Sequence, residues 1–199
     1  MVGEPVRIVA LGGTSSRGSS TEKALWVASR AAERCGARVT MFDGAFLAGL
    51  PHYQTRPLAD CPGAESLVRC IREAEGILLA SPGWHGSVSG LVKNGIDYLE
   101  ETARDPRPYL DGLPVGLIAT AYGWQATGST LAGLRSIAHA LRGWPTPLGA
   151  AVNCSGGVFD ADRCTDEAAR RQLETVGEQV VHFARLRRLA AAPPAGVPA

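Results

Sequence analysis

Short apolar runs alternate along this chain with segments whose apolar residues recur every three or four positions. The apolar runs predict five buried strands, at residues 6–11, 38–42, 76–80, 113–120 and 146–153. The helical spacing predicts five helices, at residues 21–35, 65–75, 90–101 and 131–141 and in a long last segment that opens at Thr165. Each crossover between parallel strands must pack its helix back on the sheet, so this alternation predicts a three-layer α/β fold.

Five parallel strands suit the flavodoxin-like order 2-1-3-4-5 of a doubly wound sheet. In that order the switch point lies between strands 1 and 3, and the loops after these strands should form the ligand crevice. The chain shows no linker and no internal repeat, so we expect a single domain over residues 1–189. The remaining segment, 190–199, contains only Ala, Pro, Gly and Val and is expected to be disordered.

The loop after the first predicted strand is rich in hydroxyl groups and leads into a helix. Its polar side chains are Thr14, Ser15, Ser16, Arg17, Ser19, Ser20 and Thr21. Hydroxyls, a guanidinium and free backbone N–H groups at a helix start favour a bound anion such as a phosphate. The alternative is a plain capping box, in which Ser19 caps the helix and Glu22 completes the motif. The loop contains neither G-x-G-x-x-G nor the Gly-Lys-Ser/Thr of a P-loop.

Two further loops are expected at the same edge of the sheet. After the third strand come Pro82, Gly83, Trp84, His85 and Gly86, a sequence that suits the rim of a site for a planar heterocycle. The alternative is that Trp84 is buried packing and His85 an ordinary surface residue. After the fourth strand come Ala121, Tyr122 and Gly123, which we expect beside the same crevice.

Composition narrows the possible functions. The net charge of +1 gives no sign of nucleic-acid binding, and no apolar run reaches the roughly 18 residues of a membrane span. The start of the chain lacks the features of a signal peptide. Five cysteines without a C-x-x-C pair argue against a disulfide framework or a zinc site, and no metal is expected. These observations predict a soluble, cytoplasmic protein. The sequence also lacks the G-x-S-x-G motif of serine hydrolases, which argues against Ser87 as a nucleophile.

Residues 81–97 carry a specific resemblance to a known family. The segment Ser81–Ser87 resembles its motif Ser-Pro-x-Tyr-Asn-Gly-Ser, and Gly90–Asp97 resembles Gly-x-x-Lys-Asn-x-x-Asp. The family is that of the NAD(P)H-dependent FMN reductases of flavodoxin-like fold, which includes quinone, azo-dye and chromate reductases. The resemblance runs from about Val6 to Leu141 and includes its Leu-Pro-x-Tyr loop at Leu50–Tyr53.

The resemblance implies an FMN site made from all three loops. The residues it places near the FMN phosphate are Thr14, Ser16, Ser19 and Thr21, with Arg17 and Ser20 beside them in the same loop. Those placed along the isoalloxazine ring are Pro82, Gly83, Trp84 and His85, followed by Gly86, and those near its pyrimidine end are Ala121, Tyr122 and Gly123. This chain departs from the family pattern at three positions: Ser16 stands where the family has an arginine, Trp84 replaces a tyrosine and His85 an asparagine.

The resemblance also implies the reaction. FMN would take a hydride from NADPH or NADH at flavin N5, so no side chain is expected to be catalytic. The reduced FMN would then supply a separate flavin monooxygenase or, if tightly held, reduce a small acceptor such as a quinone, an azo compound or a metal oxyanion. A homodimer or homotetramer is implied, with the Leu50–Tyr53 loop as a candidate interface. The alternative class is a flavodoxin-like electron carrier without NAD(P)H activity.

Overall fold

A mostly parallel sheet forms the middle layer of the computed structural model, which describes residues 4–161 and 163–191. Its strands are β1 (Val6–Gly12), β2 (Ala37–Phe42), β3 (Gly76–Trp84), β4 (Ser87–Val88), β5 (Pro114–Ala121), β6 (Trp144–Pro145) and β7 (Ala150–Asn153). The order is β2-β1-β3-β5, and both β6 and β7 pair with β5 in parallel. Strand β4 pairs antiparallel with the end of β3. Strands β8 (Phe159–Asp160) and β9 (Arg163–Cys164) form a separate hairpin.

The predicted strand order needs one correction. The fifth strand, predicted over residues 146–153, forms only over Ala150–Asn153, as β7, and a short additional strand, β6, precedes the predicted segment at Trp144–Pro145. Proline has no backbone N–H to donate to a ladder, and Pro147 removes one such donor in the irregular segment between β6 and β7. The sheet therefore carries more strands than the order 2-1-3-4-5 allows, although the chain starts its winding as predicted, with β1 between β2 and β3.

Helices cover both faces of the sheet, which confirms the three-layer α/β prediction. They are α1 (Ser20–Arg34), α2 (Gly44–Ala48), α3 (Pro62–Glu73), α4 (Gly90–Asp97), α5 (Trp124–Ala140) and α6 (Glu167–Ala191). Single 3₁₀ turns occur at Leu58–Asp60, Tyr98–Thr102 and Cys154–Gly156. One apolar core lies between the sheet and helices α1 and α6, and a second lies between the sheet and helices α3, α4 and α5. Successive residues of a strand pack into opposite cores. In β1, Ile8 packs into the core beneath α1 and α6, and Val9 packs into the other core.

The last helix begins after Asp166 and extends into the segment predicted to be disordered. Its N-terminal cap is Asp166, whose Oδ1 accepts a hydrogen bond from the Ala169 amide at 2.7 Å, whereas Thr165 donates to the Val158 carbonyl. The helix continues to Ala191, two residues beyond the predicted end of the domain at 189. The rest of the predicted tail, 192–199, lies outside the described residues. None of the described helices combines the length and the apolar character that crossing a membrane requires.

Candidate functional site

The ends of three parallel strands bring the three predicted loops to one edge of the sheet. Gly12 ends β1 beside Ala80 of β3, and Thr120 in β5 pairs with Pro82 of β3. The loop after β1, the extended end of β3 and the loop after β5 therefore adjoin one another. This edge is the carboxyl edge of the sheet, where open α/β sheets bind their ligands.

The loop after β1 is fixed by its own polar side chains. Thr14, 8% exposed, accepts a hydrogen bond on Oγ1 from the Ser16 amide at 3.2 Å and donates to the Ser16 carbonyl at 3.1 Å. This turn leaves the side chains of Ser16 and Arg17 exposed beside the start of α1. The loop thus presents a hydroxyl and a guanidinium to the solvent at a helix start, where an anion is favoured.

Ser19 caps α1, as the capping alternative predicts. Its Oγ accepts a hydrogen bond from the Glu22 amide at 3.3 Å, and the Glu22 carboxylate accepts one from the Gly18 amide at 3.0 Å. A capping hydroxyl uses its oxygen as acceptor and keeps its own hydrogen for donation. Capping by Ser19 and donation by Ser19 to an anion are therefore compatible in this arrangement.

Thr21 lies in a different environment from the other hydroxyls of this loop. It is 2% exposed and belongs to the inner face of α1 with Ala24 and Leu25. Its Oγ1 is 2.7 Å from Thr120 Oγ1 in β5. Sequence reasoning placed Thr21 at the phosphate and missed Thr120, because the partner is 99 positions away along the chain.

The predicted loop after the third strand is a β-hairpin. Strand β3 continues to Trp84, four residues past its predicted end, and pairs with β4 through Gly83↔Val88 and Trp84↔Ser87. The two turn residues, His85 and Gly86, have φ angles of +51° and +87°. Positive φ at both positions is the mark of a type I′ turn, in which asparagine and glycine are the preferred residues.

Three exposed aromatic side chains lie at this edge of the sheet. Trp84 is 51% exposed, so the alternative of a buried packing tryptophan is wrong, whereas His85 is exposed, as its alternative predicted. Tyr122, 82% exposed, follows β5, and Trp124, 68% exposed, begins α5. Side chains of this size are normally partly covered, and a cluster of them at a strand edge is typical of a binding surface.

The start of α5 supplies backbone donors at the same edge. Gly123 is the N-cap residue, with φ +151°, and it offers no side-chain acceptor to the first turn. The first N–H groups of a helix have no partner within the helix. These amides lie next to Ala121 and Tyr122, where the family resemblance implies the pyrimidine end of the ring.

The Leu50–Tyr53 loop is tied to α4 by Asn94. The Asn94 Oδ1 accepts from the Tyr53 amide at 2.8 Å, and its Nδ2 donates to the Pro51 carbonyl at 2.9 Å. The Tyr98 phenol donates to the same carbonyl at 2.9 Å. Burial, reinforced by the nearby Glu101 carboxylate, raises the pKa of Tyr53. The motif residue Asn94 therefore has a structural role, as does Lys93, which pairs with Asp97.

Close backbone packing holds the loop after β1 in place. A Cβ atom on Gly44, the first residue of α2, would lie 1.8 Å from the Thr14 carbonyl oxygen. Only glycine allows this approach, and sequence reasoning did not identify Gly44. The loop is thus preformed, and it exposes the Ser16 hydroxyl and the Arg17 guanidinium, while the Glu22 carboxylate is bonded to the Gly18 amide. This donor set suits a phosphate attached to a planar ring that lies towards Trp84 and Tyr122.

The sequence is similar to curated enzymes whose names include FMN. An FMN-dependent NADPH-azoreductase of Staphylococcus aureus is 34% identical over 113 residues, which cover 55% of this chain and 56% of the relative. The same enzyme of Staphylococcus saprophyticus is 38% identical over 83 residues, 42% of this chain and 40% of the relative. The chain thus spans about half the length of the curated relatives it matches.

Solved structures share the fold across nearly the whole chain. FerB, a flavoenzyme NAD(P)H:(acceptor) oxidoreductase from Paracoccus denitrificans, aligns with a TM-score of 0.71 and 20% identity over 91% of this chain and 98% of its own. The apo form of an NADH:FMN oxidoreductase, EmoB, aligns with a TM-score of 0.65 and 20% identity over 95% of this chain and 92% of its own. Residues 6–158 match the family described as NADPH-dependent FMN reductase, and the chain belongs to that family.

Proposed function

We propose that this protein binds FMN noncovalently at the carboxyl edge of the sheet and uses it to oxidise NADPH. The observation that carries the proposal is that a fixed, hydroxyl-bearing helix start and three exposed aromatic side chains, Trp84, Tyr122 and Trp124, lie at the same edge of the sheet. One part suits a phosphate and the other a planar ring, and FMN combines both. Membership of the NADPH-dependent FMN reductase family and the names of the staphylococcal relatives support the same cofactor and co-substrate.

Each segment has its own part in holding the cofactor. The loop after β1 and the start of α1 would hold the phosphate, through Thr14, Ser16, Arg17, Ser19, Ser20 and Thr21. The hairpin would hold the ring, through Pro82, Gly83, Trp84, His85 and Gly86. The segment after β5 would meet the pyrimidine end, through Ala121, Tyr122 and Gly123. When bound, FMN supplies the redox chemistry, because its ring accepts a hydride from NADPH and passes electrons to an acceptor.

The chain's own contribution is to bind and orient. Uncapped backbone amides at the start of α5 are placed to stabilise negative charge at the pyrimidine end, and they need no ionisable side chain for this. The exposed faces of Trp84 and Tyr122 favour planar aromatic molecules beside the ring, which suits nicotinamide and an aromatic acceptor such as a quinone or an azo compound. A metal oxyanion would gain nothing from these aromatic faces.

We extend the proposal to the surroundings of the enzyme. The exposed aromatic side chains Trp84, Tyr122 and Trp124 favour coverage by a second subunit. We therefore propose a homodimer or homotetramer in the cytoplasm. The Leu50–Tyr53 loop, held by Asn94, is the candidate contact. A partner flavin monooxygenase that receives reduced FMN is the alternative use of the same site, and loss of FMN during purification would favour it over a bound-cofactor reductase.

The test is a binding titration followed by turnover. We expect added FMN to give a saturable change in the visible spectrum, and the loaded protein to oxidise NADPH or NADH with a quinone or azo dye as acceptor. Binding without turnover with either nucleotide would favour the electron carrier, and absence of FMN binding would overturn the proposal.

Two exposed tryptophans provide a matched control for the ring site. Trp84 lies at the carboxyl edge, whereas Trp144, 70% exposed, pairs with Pro114 at the amino end of β5. Trp84→Ala should weaken FMN binding about two- to tenfold, the loss expected for one aromatic stacking contact. Trp144→Ala should leave the dissociation constant unchanged, and equal effects of the two substitutions would contradict the placement of the ring.

A further inference from the structure

Two buried threonines connect the start of α1, where we propose the FMN phosphate, to strand β5, which leads to the residues proposed at the pyrimidine end of the ring. Thr21, in the first turn of α1, and Thr120, near the end of β5, are 2% and 3% exposed, and their Oγ1 atoms are 2.7 Å apart. This distance is that of a good O–H···O hydrogen bond. The inference drawn from it rests on the proposed function, because it concerns how FMN phosphate is recognised.

The hydrogen count of this pair leaves one donor to spare. Two hydroxyls carry two hydrogens, and their mutual bond uses one of them. Among the described residues, neither Oγ1 atom has a second hydrogen-bond partner, so the second hydrogen has no acceptor there. A buried donor without an acceptor is costly, and such a group at a candidate site indicates a missing partner.

The position of Thr21 indicates what that partner is. Thr21 lies two residues after the N-cap Ser19, within the turn whose backbone amides and dipole favour negative charge. A phosphate oxygen at this helix start would accept the spare hydrogen from Thr21, provided that Thr120 donates to Thr21 and not the reverse. Hydrogen bonds in such a chain strengthen one another, because each polarises the next.

We propose that Thr120 is a positioning residue for the FMN phosphate. It donates its hydroxyl hydrogen to Thr21 Oγ1 and so turns the Thr21 hydrogen towards the phosphate. Thr120 is well suited to this, since it is fixed on both sides by pairing with Pro82 of β3 and Val152 of β7. Its β-branched side chain also has few χ1 options, which keeps the hydroxyl in one direction.

The experiment compares FMN with riboflavin, which lacks the phosphate, on three variants. Thr120→Val keeps the shape of the side chain and removes its hydroxyl. It should weaken FMN binding about three- to tenfold, the range of one hydrogen bond, and leave riboflavin binding unchanged. Thr120→Ser should restore FMN binding. Thr146→Val is the control, because Thr146 is equally buried but its hydroxyl bonds the Leu148 carbonyl near the amino end of β5.

A spectroscopic readout covers the case in which riboflavin binds too weakly to measure. The ³¹P resonance of bound FMN should move in Thr120→Val and stay in place in Thr146→Val. In the Thr21→Val background, Thr120→Val should add no further loss of FMN affinity, because the relay is already broken. Thermal unfolding of each variant without ligand verifies that it is folded.

The outcomes separate this proposal from the proposed function. Equal losses for FMN and riboflavin, or independent losses from the two threonines, would show that the pair only supports the fold and would overturn the relay. Unchanged FMN affinity and an unmoved ³¹P resonance in Thr120→Val would overturn it as well. Failure of the unmodified protein to bind FMN would instead refute the proposed function.

Discussion

Gly83 in β3 packs directly against Thr130 in α5. A Cβ atom on Gly83 would lie 2.5 Å from Thr130 Oγ1 and 3.0 Å from the Ala126 carbonyl oxygen. The helix therefore packs against the bare backbone of the strand just before Trp84. Packing therefore explains the glycine at position 83. Because Trp84 follows Gly83 in the same strand, the contact also ties the position of Trp84 to that of α5.

Gly83→Ala should lower the free energy of unfolding by about 1–3 kcal/mol, because the added methyl group overpacks this contact. Chemical denaturation measures the effect. Gly128→Ala provides the control, since a Cβ atom there meets no atom within 4 Å and alanine is the better helix former, so this variant should gain about 0.5–1 kcal/mol. If Gly83→Ala is as stable as the unmodified protein, the strand and helix are not in the contact described.

Thr130→Val should stabilise the protein. The Thr130 hydroxyl is fully buried and has no hydrogen-bond partner among the described residues, so an isosteric methyl group removes a penalty of about 1 kcal/mol. The comparison is Thr102→Val, because Thr102 is also buried but donates to the Leu99 carbonyl and accepts from the Tyr109 amide. That variant should lose stability, and two changes of the same sign would contradict the assignment.

The turn at the tip of the hairpin predicts a ranking of substitutions at His85. Its φ of +51° is adopted easily by asparagine and glycine and poorly by β-branched residues. His85→Asn should be at least as stable as the unmodified protein, and His85→Val should cost about 1–2 kcal/mol. Melting temperatures of the two variants test this, and a valine variant as stable as the asparagine variant would argue against a type I′ turn.

Glu75 should make stability depend on acid pH. Burial alone would raise its pKa, but hydrogen bonds from the Arg188 side chain and the Arg7 amide outweigh burial, and the pKa of Glu75 is lowered from its ordinary value of 4.5. The folded state thus favours the carboxylate. The stabilisation of the folded state that results is fully present above the unfolded-state pKa of 4.5. It is lost as the pH falls through the lowered folded-state pKa.

Glu75→Gln should therefore cost about 1–2 kcal/mol at pH 7, and the difference from the unmodified protein should shrink towards pH 3. Denaturation curves recorded across this range measure it. Glu33, paired with Arg30 on the exposed face of α1, provides the comparison, since an exposed pair contributes little and Glu33→Gln should change stability by less than about 0.5 kcal/mol. A penalty for Glu75→Gln that is constant with pH would contradict the ionic explanation.

Periodicity was sufficient to predict the layers and the edge at which the three segments meet. Alternating apolar runs require a parallel sheet with helices on both faces, and the carboxyl ends of its strands then fall together. The hairpin at His85 was not predicted, because its turn carries histidine where the usual signal is asparagine before glycine. The shortening of the fifth strand was not predicted for another reason: the apolar run over residues 146–153 includes Pro147, which cannot donate to a ladder.

Contacts between distant residues could not be predicted from one sequence. The hydroxyl-rich loop predicts Thr21 at the phosphate, but the hydroxyl to which Thr21 is bonded belongs to a strand 99 positions later. Gly44 likewise gives no local signal, since its requirement comes from the Thr14 carbonyl of another loop. Such roles depend on which surfaces meet in three dimensions, and hydrophobic periodicity says only which face of each element is covered.

The contact between Gly44 and Thr14 has a consequence for affinity. A loop already fixed by a neighbouring backbone loses little conformational entropy when its ligand arrives, so more of the gross interaction energy remains as binding free energy. Any side chain at position 44 would displace the Thr14 carbonyl and with it the helix start that follows. Attempts to retune cofactor affinity in this scaffold should therefore vary the exposed positions 16 and 17 and keep glycine at 44.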